Sequence, residues 1–211
     1  MQLLQMRYLL LSSCLLILPG CSSVYRKMEK ARSSNPSCLL QFRPQFTKAL
    51  YNTSVDVTGK HLSGLLLIKT MPDSSTRLVF SNEMGFKYFD FEFAAGGAFK
   101  VYYILPQMNK KAVLITLRKD FEILLMQHLD LEKISVRKKD GFFYYGFQQT
   151  KGNNYYITDS TCNQLIRLER ASKRKAVVVA VMQNYSEGIP DTIGISHTNF
   201  NFTIGLKKLK Q

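Results

Sequence analysis

The side chains best suited to chemistry in this chain are two carboxylates, Asp90 and Glu92, in a segment of alternating polar and aromatic residues. Two positions apart on a strand, they point the same way, and a carboxylate pair is what glycoside hydrolysis requires. Glycosidases usually place the two groups on either side of the sugar, on different elements. A like-charged pair on one strand face is more typical of ion pairing with neighbours such as Arg77 or Lys100, so we predict no catalytic residue.

The other residues that could catalyse a reaction or bind a metal are scattered. His61, His128 and His197 lie far apart, without a cysteine or carboxylate at ligand spacing. The sequence has no Gly-x-Ser-x-Gly nucleophile elbow and no phosphate-binding glycine-rich loop. We therefore predict a protein that is not an enzyme and that uses no metal or cofactor.

Several tyrosines are expected on the surface of a sheet, where they either stack on sugars or pack against their neighbours. They are Tyr102, Tyr144, Tyr145, Tyr155 and Tyr156. Stacking on sugars would make the protein a glycan-binding one, which we keep as the weaker alternative.

The first twenty residues are typical of a secretory signal. Arg7 is their one charged residue, and an apolar stretch from Tyr8 to Leu18 follows it, too short for an ordinary membrane-spanning helix. The stretch ends in Leu18-Pro19-Gly20-Cys21, which resembles the bacterial lipobox. The resemblance implies cleavage after Gly20, acylation of Cys21 on its sulfur and its new amine, and attachment to a membrane through these chains.

Two other interpretations of this terminus stay open: a soluble secreted protein cleaved near Gly20, and a buried cysteine in an uncleaved helix. Ser22 and Ser23, and not an aspartate, follow the cysteine. By similarity to lipoprotein sorting this implies delivery to the outer membrane, where we expect the protein on the periplasmic side. Residues 21–37 are interpreted as a lipidated start and a tether, since Val24 to Pro36 is polar and charged.

Cys38 and Cys162 remain in the mature chain when Cys14 leaves with the signal and Cys21 carries lipid. In an oxidising compartment they form either a disulfide that closes a long loop or two separate buried thiols. The sequence leaves both open.

The chain is strongly basic, with 29 Lys and Arg against 15 Asp and Glu in 211 residues, a formal charge of +14. The basic residues form short clusters that we expect on turns and chain ends. Nucleic acid is a poor partner for an exported protein, so we predict an anionic membrane surface or an acidic partner instead. The oligomeric state is not predicted.

Residues 38–211 are predicted to form one mainly β domain. Strand patterns bounded by turn residues occur at 50–57, 62–70, 77–81, 86–93, 99–105, 142–149, 154–158, 163–170, 175–182, 192–197 and 199–206. Alternation places Phe89, Phe91 and Phe93 on one face of a strand. It likewise aligns Phe99, Val101, Tyr103 and Leu105 on the next strand.

One helix is predicted, between Asn109 as a candidate N-cap and His128. Apolar side chains recur there at steps of three and four residues, which favours an amphipathic helix. The apolar stripe contains Val113, Leu114, Leu117, Phe121, Leu124 and Leu125.

The order of these elements resembles that of the LolA and LolB lipoprotein carriers. Residues 82–93 (NEMGFKYFDFEF) followed by the apolar helix are similar to a group of uncharacterised LolB-like bacterial lipoproteins, and the strands at 189–195 (IPDTIGI) and 200–206 (FNFTIGL) end the same order. The resemblance implies a curved antiparallel sheet, an incomplete barrel, wrapped around the helix with an apolar hollow that holds acyl chains. It does not place the exposed apolar loop residue of LolB or the buried arginine of LolA.

A half-closed barrel fills its concave side with side chains or leaves an apolar cavity. The helix is accordingly either a lid over a cavity or the completion of the core. The residues expected at the cavity or lid are Leu114, Leu117, Phe121, Leu124, Leu125, Phe89 and Phe91. The first functional hypothesis is a lipid-anchored envelope protein that binds acyl chains or lipoproteins in trafficking, and the second is an envelope scaffold for a protein partner.

Overall fold

The computed structural model describes residues 23–25, 27–31, 35–127 and 129–210. The strands are β1 (Glu29–Lys30), β2 (Lys48–Val57), β3 (Lys60–Thr70), β4 (Thr76–Ser81), β5 (Lys87–Phe93), β6 (Phe99–Ile104), β7 (Ser135–Lys139), β8 (Phe142–Gln148), β9 (Asn153–Thr158), β10 (Leu165–Ala171), β11 (Ala176–Ser186), β12 (Ile189–His197) and β13 (Phe202–Lys208). Helix α1 spans Lys111–Leu124, and short 3-10 helices span Pro36–Phe42 and Pro106–Met108. Within these ranges no helix is long and apolar enough to cross a membrane.

All thirteen strands belong to one antiparallel sheet. β2 to β6 form one meander and β7 to β13 form a second, and β13 pairs with β2 to join them. Helix α1 makes the connection from β6 to β7 and packs on one face of the sheet. The sheet is curved and does not close into a barrel, which confirms the predicted fold class.

The inner face of the sheet and one side of α1 enclose the main core. Alternation on β5 buries Phe89, Phe91 and Phe93, as predicted, and Phe89 and Phe93 both contact the ring of Phe121 from α1. Burial of such rings contributes about 1.5–3 kcal/mol each. The aromatic character of β5 therefore holds the helix against the sheet.

The predicted alignment of side chains on β6 is wrong. The register shifts by one residue between Asp90 and Phe91 of the partner strand β5, so that Phe91 pairs with Val101 and Asp90 with Tyr103. Such a bulge turns the residues beyond it to the other face, so Tyr103 faces away from the side that Phe99 and Val101 share. Val101 and Tyr103 are both exposed on this edge strand.

The ends of the helix also differ from the prediction of 109–128. Residues Pro106–Met108 form a 3-10 turn, so α1 begins after Lys110 and not after Asn109. It ends at Leu124, and Met126 has a positive φ of 49° that is incompatible with a continuing helix. His128 lies outside the described residues.

The segment predicted as a tether is packed against the domain where the structure describes it. We call residues 23–25 and 27–31 the N-terminal strap. Tyr25 stacks on Tyr155 with ring centroids 4.8 Å apart, and its hydroxyl donates to the buried Glu169 carboxylate at 2.6 Å. Met28 is buried in the same cluster, and β1 pairs with β7. The burial of one aromatic side chain, Tyr25, and one thioether, Met28, thus fixes a segment whose composition is that of a linker.

The strap lies on the outer face of the sheet. On β9, Tyr155 contacts the strap while its neighbour Tyr156 belongs to the inner core, as alternation along a strand requires. Burial and the hydrogen bond to Glu169 raise the pKa of Tyr25, so its hydroxyl stays protonated as a donor. Cys14 and Cys21 lie outside the described residues.

Candidate ligand-binding cavity

A cavity of about 600 Å³ separates the first turns of α1 from the inner face of the sheet. Its floor consists of buried apolar side chains from four strands and the helix. These are Leu66, Phe80, Phe89, Leu117, Phe121, Phe202 and Ile204. Thr53 is the polar side chain of the floor, and its hydroxyl already donates to the Tyr51 carbonyl at 3.2 Å. The interior therefore suits an apolar ligand, which needs no hydrogen-bonding partner.

The cavity opens at one end of the sheet, which we call the mouth end. Lys60 at the start of β3, Lys110 before α1 and Phe200 before β13 border the opening and are exposed to solvent. Apolar walls with cations at the rim fit an amphiphile whose chain lies inside and whose negative head lies at the rim.

The structure brings some of the expected cavity residues to the cavity and not the others. Leu117, Phe121 and Phe89 line it. Phe91 stacks behind Phe89 with ring centroids 4.3 Å apart. The remaining expected residues, Leu114, Leu124 and Leu125, pack in the core beside it and do not line it. One side of the helix, with Val113, Leu117 and Phe121, thus borders the cavity, and Leu124 and Leu125 at its end pack in the core.

Sequence reasoning missed the walls that β2, β3 and β13 supply. Val55, Leu62, Phe202 and Ile204 line the cavity. The strict alternation of β13 identifies Phe202 and Ile204 as inward-facing, but alternation does not distinguish a filled core from a hollow. That distinction depends on the curvature of the sheet.

A buried ion cluster joins α1 to the sheet below the cavity. Asp120 of α1 is fully buried, with its carboxylate 3.1 Å from Nη1 of Arg170 on β10 and 2.8 Å from Nε2 of His197 on β12. Burial lowers the pKa of Arg170, and the neighbouring carboxylate opposes this effect. The signal in the sequence was an acid three positions after Leu117, on the apolar side of the helix.

Cys38 and Cys162 are joined by a disulfide, with their sulfurs 2.00 Å apart. Cys38 belongs to the 3-10 helix Pro36–Phe42, whose Leu39 and Phe42 are buried in the main core. The bridge fastens this helix to the loop between β9 and β10.

Asp90 and Glu92 form ion pairs with Arg77, and Lys87 also contacts Asp90 at 3.1 Å. The predicted pairing thus uses Arg77, while Lys100 donates a hydrogen bond to the Tyr102 hydroxyl, which in turn donates to Glu92. Burial alone would raise the pKa of Asp90, but the hydrogen bonds from Arg77 and Lys87 hold it below its ordinary value.

The other polar and aromatic candidates contact their neighbours and do not meet in one site. His61 contacts Asp56 at 2.7 Å, far from His197 and its partner Asp120. Of the tyrosines expected at the surface, Tyr102 is exposed; Tyr144, Tyr145, Tyr155 and Tyr156 are buried. The expected exposure of these four is wrong, and they pack against their neighbours, which was the second of the two interpretations.

Two apolar side chains project from the turn between β4 and β5. Met84 is 83% exposed and Phe86 is 69% exposed, in a turn closed by hydrogen bonds between Asn82 and Phe86. The turn leaves the sheet at the mouth end, because β4 runs antiparallel to β3, which begins there. The sequence alone did not place an exposed apolar loop residue.

A solved structure of a LolA-type protein has a similar arrangement of strands and helix. A LolA superfamily protein from Nitrosomonas europaea matches with a TM-score of 0.53 at 8% identity, over 84% of this chain and 92% of that one. The chain has a LolA/LolB-like fold. No protein-family model and no curated protein matches the sequence.

Two further structures are similar at lower scores. A putative outer membrane lipoprotein-sorting protein domain from Vibrio parahaemolyticus has a TM-score of 0.45, and a DUF1329 family protein from Desulfovibrio piger has one of 0.44. Both are 10% identical to this chain, and both alignments cover 83% of this chain and 90% of the other.

Proposed function

We propose that the protein is a non-enzymatic, lipid-anchored envelope protein that binds acyl chains, free or as part of a lipid or lipoprotein, in its concave cavity. The observation that carries this proposal is the cavity of about 600 Å³ with an apolar floor and a cationic rim. Pockets for small ligands are commonly about 300–1,000 Å³. The LolA/LolB-like fold and the lipobox-like residues 18–21 support an envelope protein anchored to the outer membrane through Cys21.

The length of buried chain sets the affinity. Each buried methylene contributes about 0.8 kcal/mol, so ten of them contribute about 8 kcal/mol before the cost of association, which is at least about 4 kcal/mol. A micromolar affinity needs about 8 kcal/mol after that cost, so about fifteen methylenes, most of a common fatty acid, must lie in the cavity.

The proposal is tested by titrating a fluorescent fatty acid into the mature chain carrying Cys21→Ser. Val113 lines the cavity on the first turn of α1, so Val113→Trp fills part of it. Ile115 of the same helix is 44% exposed and does not line the cavity, which makes Ile115→Trp the matched control. We expect at least a tenfold loss of affinity for Val113→Trp and none for Ile115→Trp. Saturable binding that is equal in both variants would show that the cavity is not the site.

The scaffold function is the second candidate, and the exposed Met84 and Phe86 favour it, because a large exposed apolar turn is typical of a contact surface. A protein scaffold would copurify an envelope protein, and Met84→Ser with Phe86→Ser would release it. The same double variant leaves acyl-chain binding unchanged when the cavity alone holds the ligand.

A further inference from the structure

The strap starts at the turn between β10 and β11, close to the proposed anchor. Ser23 Oγ donates to the Lys173 carbonyl at 2.7 Å, and the Val24 N–H donates to the Arg174 carbonyl at 3.2 Å. Cys21 precedes Ser23 by two residues, and two residues of chain reach at most about 7 Å. A membrane that holds acyl chains on Cys21 therefore lies next to this turn.

The same turn lies at the mouth end of the sheet. Thr198, in the turn between β12 and β13, donates through Oγ1 to the Ala176 carbonyl at 2.8 Å. In the adjoining turn between β2 and β3, the Thr58 N–H donates to the Asn201 carbonyl at 2.9 Å. Phe200 and Lys60, from these two turns, border the cavity opening. One row of turns thus connects the anchor to the opening.

The mouth end carries cations with few acids among them. Its exposed cations in the described part of the chain include Lys60, Lys110, Lys151, Lys173, Arg174 and Lys175, none of which forms an ion pair there. The acids in its turns are Asp56, which contacts His61, and Glu83. Two more, Asp130, which contacts Lys133, and Glu132, lie on the segment that enters β7 at this end.

The opposite end of the sheet is also basic, but acids are mixed with its cations. They lie in or beside four of its five turns between strands, at Asp73, Asp140, Asp159, Glu187 and Asp191. The difference in charge between the two ends of the sheet therefore favours contact of the mouth end with a negatively charged surface.

We propose that the mouth end is a membrane-docking surface, which holds the cavity opening against the anionic head groups of the bilayer that anchors the chain. The proposal rests on the proposed acylation and acyl-chain binding and adds the orientation and the lipid class. The exposed Phe200, Met84 and Phe86 lie at the same end, where apolar side chains enter the interfacial layer. An acyl chain would then pass between bilayer and cavity without crossing water.

The first test measures flotation of the mature chain, with Cys21→Ser, on vesicles of phosphatidylcholine with and without phosphatidylglycerol. We expect binding that needs the anionic lipid and weakens with salt. The triple variant Lys173→Gln, Arg174→Gln and Lys175→Gln should bind about 100-fold more weakly, at about fivefold per charge.

The matched control removes three exposed cations from the opposite end, with Lys48→Gln, Lys69→Gln and Lys207→Gln. We expect it to keep most of the affinity, although the net charge is the same as in the first triple variant. Equal losses in the two variants, or no binding to anionic vesicles by the unchanged sequence, would overturn the proposal.

The second test determines which end faces the bilayer. The chain has no tryptophan, so Phe200→Trp at the mouth end and Leu209→Trp beyond β13 each give a single indole fluorophore. Nitroxide-labelled lipids in anionic vesicles should quench the fluorescence of the Phe200→Trp variant strongly and that of the Leu209→Trp variant weakly. Equal quenching, or the reverse order, would contradict the orientation.

Binding to vesicles does not require an open cavity. Val113→Trp should lose the fatty-acid probe and still float with anionic vesicles. If the unchanged chain binds vesicles but not the probe, docking stands and the proposed function fails; if it binds the probe but not vesicles, docking fails alone.

Discussion

Asp120 is the residue that ties the position of the helix to the sheet. Its carboxylate contacts Arg170 and His197, which lie on two different strands. Replacing one member of a buried ion pair leaves the other charge uncompensated, at a cost of about 3–5 kcal/mol. Asp120 therefore adds a buried polar contact to the aromatic contacts of Phe121 that hold α1 on the sheet.

We predict that Asp120→Ala lowers the free energy of unfolding by about 3–5 kcal/mol, measured by urea denaturation. The control is Glu122→Gln on the same helix, whose partner Arg118 is 44% exposed. An exposed pair of this spacing contributes about 0.3–0.5 kcal/mol. Similar losses in the two variants would mean that Asp120 does not hold the helix.

Protonation of the Asp90 carboxylate is expected to lower the stability of the protein in acid. Its pKa is lower in the folded protein than in the unfolded chain. Its contribution to stability is therefore fully present above the unfolded value of about 3.9 and is lost as the pH falls through the folded value. We expect the difference in unfolding free energy between the unchanged chain and Asp90→Asn to be constant from pH 7 to 5 and to shrink below about pH 4. A difference that stays constant down to pH 3 would contradict this.

At the scale of elements, two segments with little secondary structure are held by specific contacts: the 3-10 helix Pro36–Phe42 by the disulfide, and the strap by its own buried side chains. Cys38 and Cys162 are 124 residues apart in sequence. In the chain-entropy model a loop of this size corresponds to about 4–5 kcal/mol. The 3-10 helix Pro36–Phe42 gains its place in the core from this bridge and from Leu39.

We expect Cys38→Ser with Cys162→Ser to lower the unfolding free energy by several kcal/mol, up to the value of the model. Each single variant should lose about as much, since either one breaks the bridge. Mass spectrometry after alkylation without reductant is the direct check. Two alkylated thiols at these positions would exclude the disulfide.

The strap is predicted to depend on Tyr25. Since β1 pairs with β7 over only two residues, the pairing is too short to persist alone. In Tyr25→Ala, the Ala31 N–H, which donates to the Val136 carbonyl at 3.2 Å, should exchange with solvent much faster. Tyr25→Phe keeps the stacking and should show a smaller effect. Unchanged exchange in Tyr25→Ala would mean that the strap is held by other contacts.

The sequence predicts an element well where its residues follow a clear pattern. Strands with clear alternation or apolar runs, such as β2, β3 and β13, were found to within a few residues. β7 (SVRKK) and β1 were missed because short charged segments carry no such pattern. The strap was missed because its place depends on Tyr155 and Glu169, which are distant in sequence.

At the scale of the whole molecule, the cavity results from a sheet too wide to be filled by one helix. Thirteen strands curve around the 14 residues of α1. The second half of the helix fills its part of the concave side, and among the described residues no other element fills the space beside the first half. Helix periodicity predicts which residues face inward, and only the curvature decides whether they meet a core or a hollow.

The most direct measurement is native mass spectrometry of the mature chain with Cys21→Ser, purified without detergent and then given an equimolar fatty acid. Binding in the cavity predicts a complex whose added mass is that of one acyl lipid, present in Ile115→Trp and strongly reduced in Val113→Trp. A protein that carries no lipid from the cell and takes up no fatty acid would contradict the account.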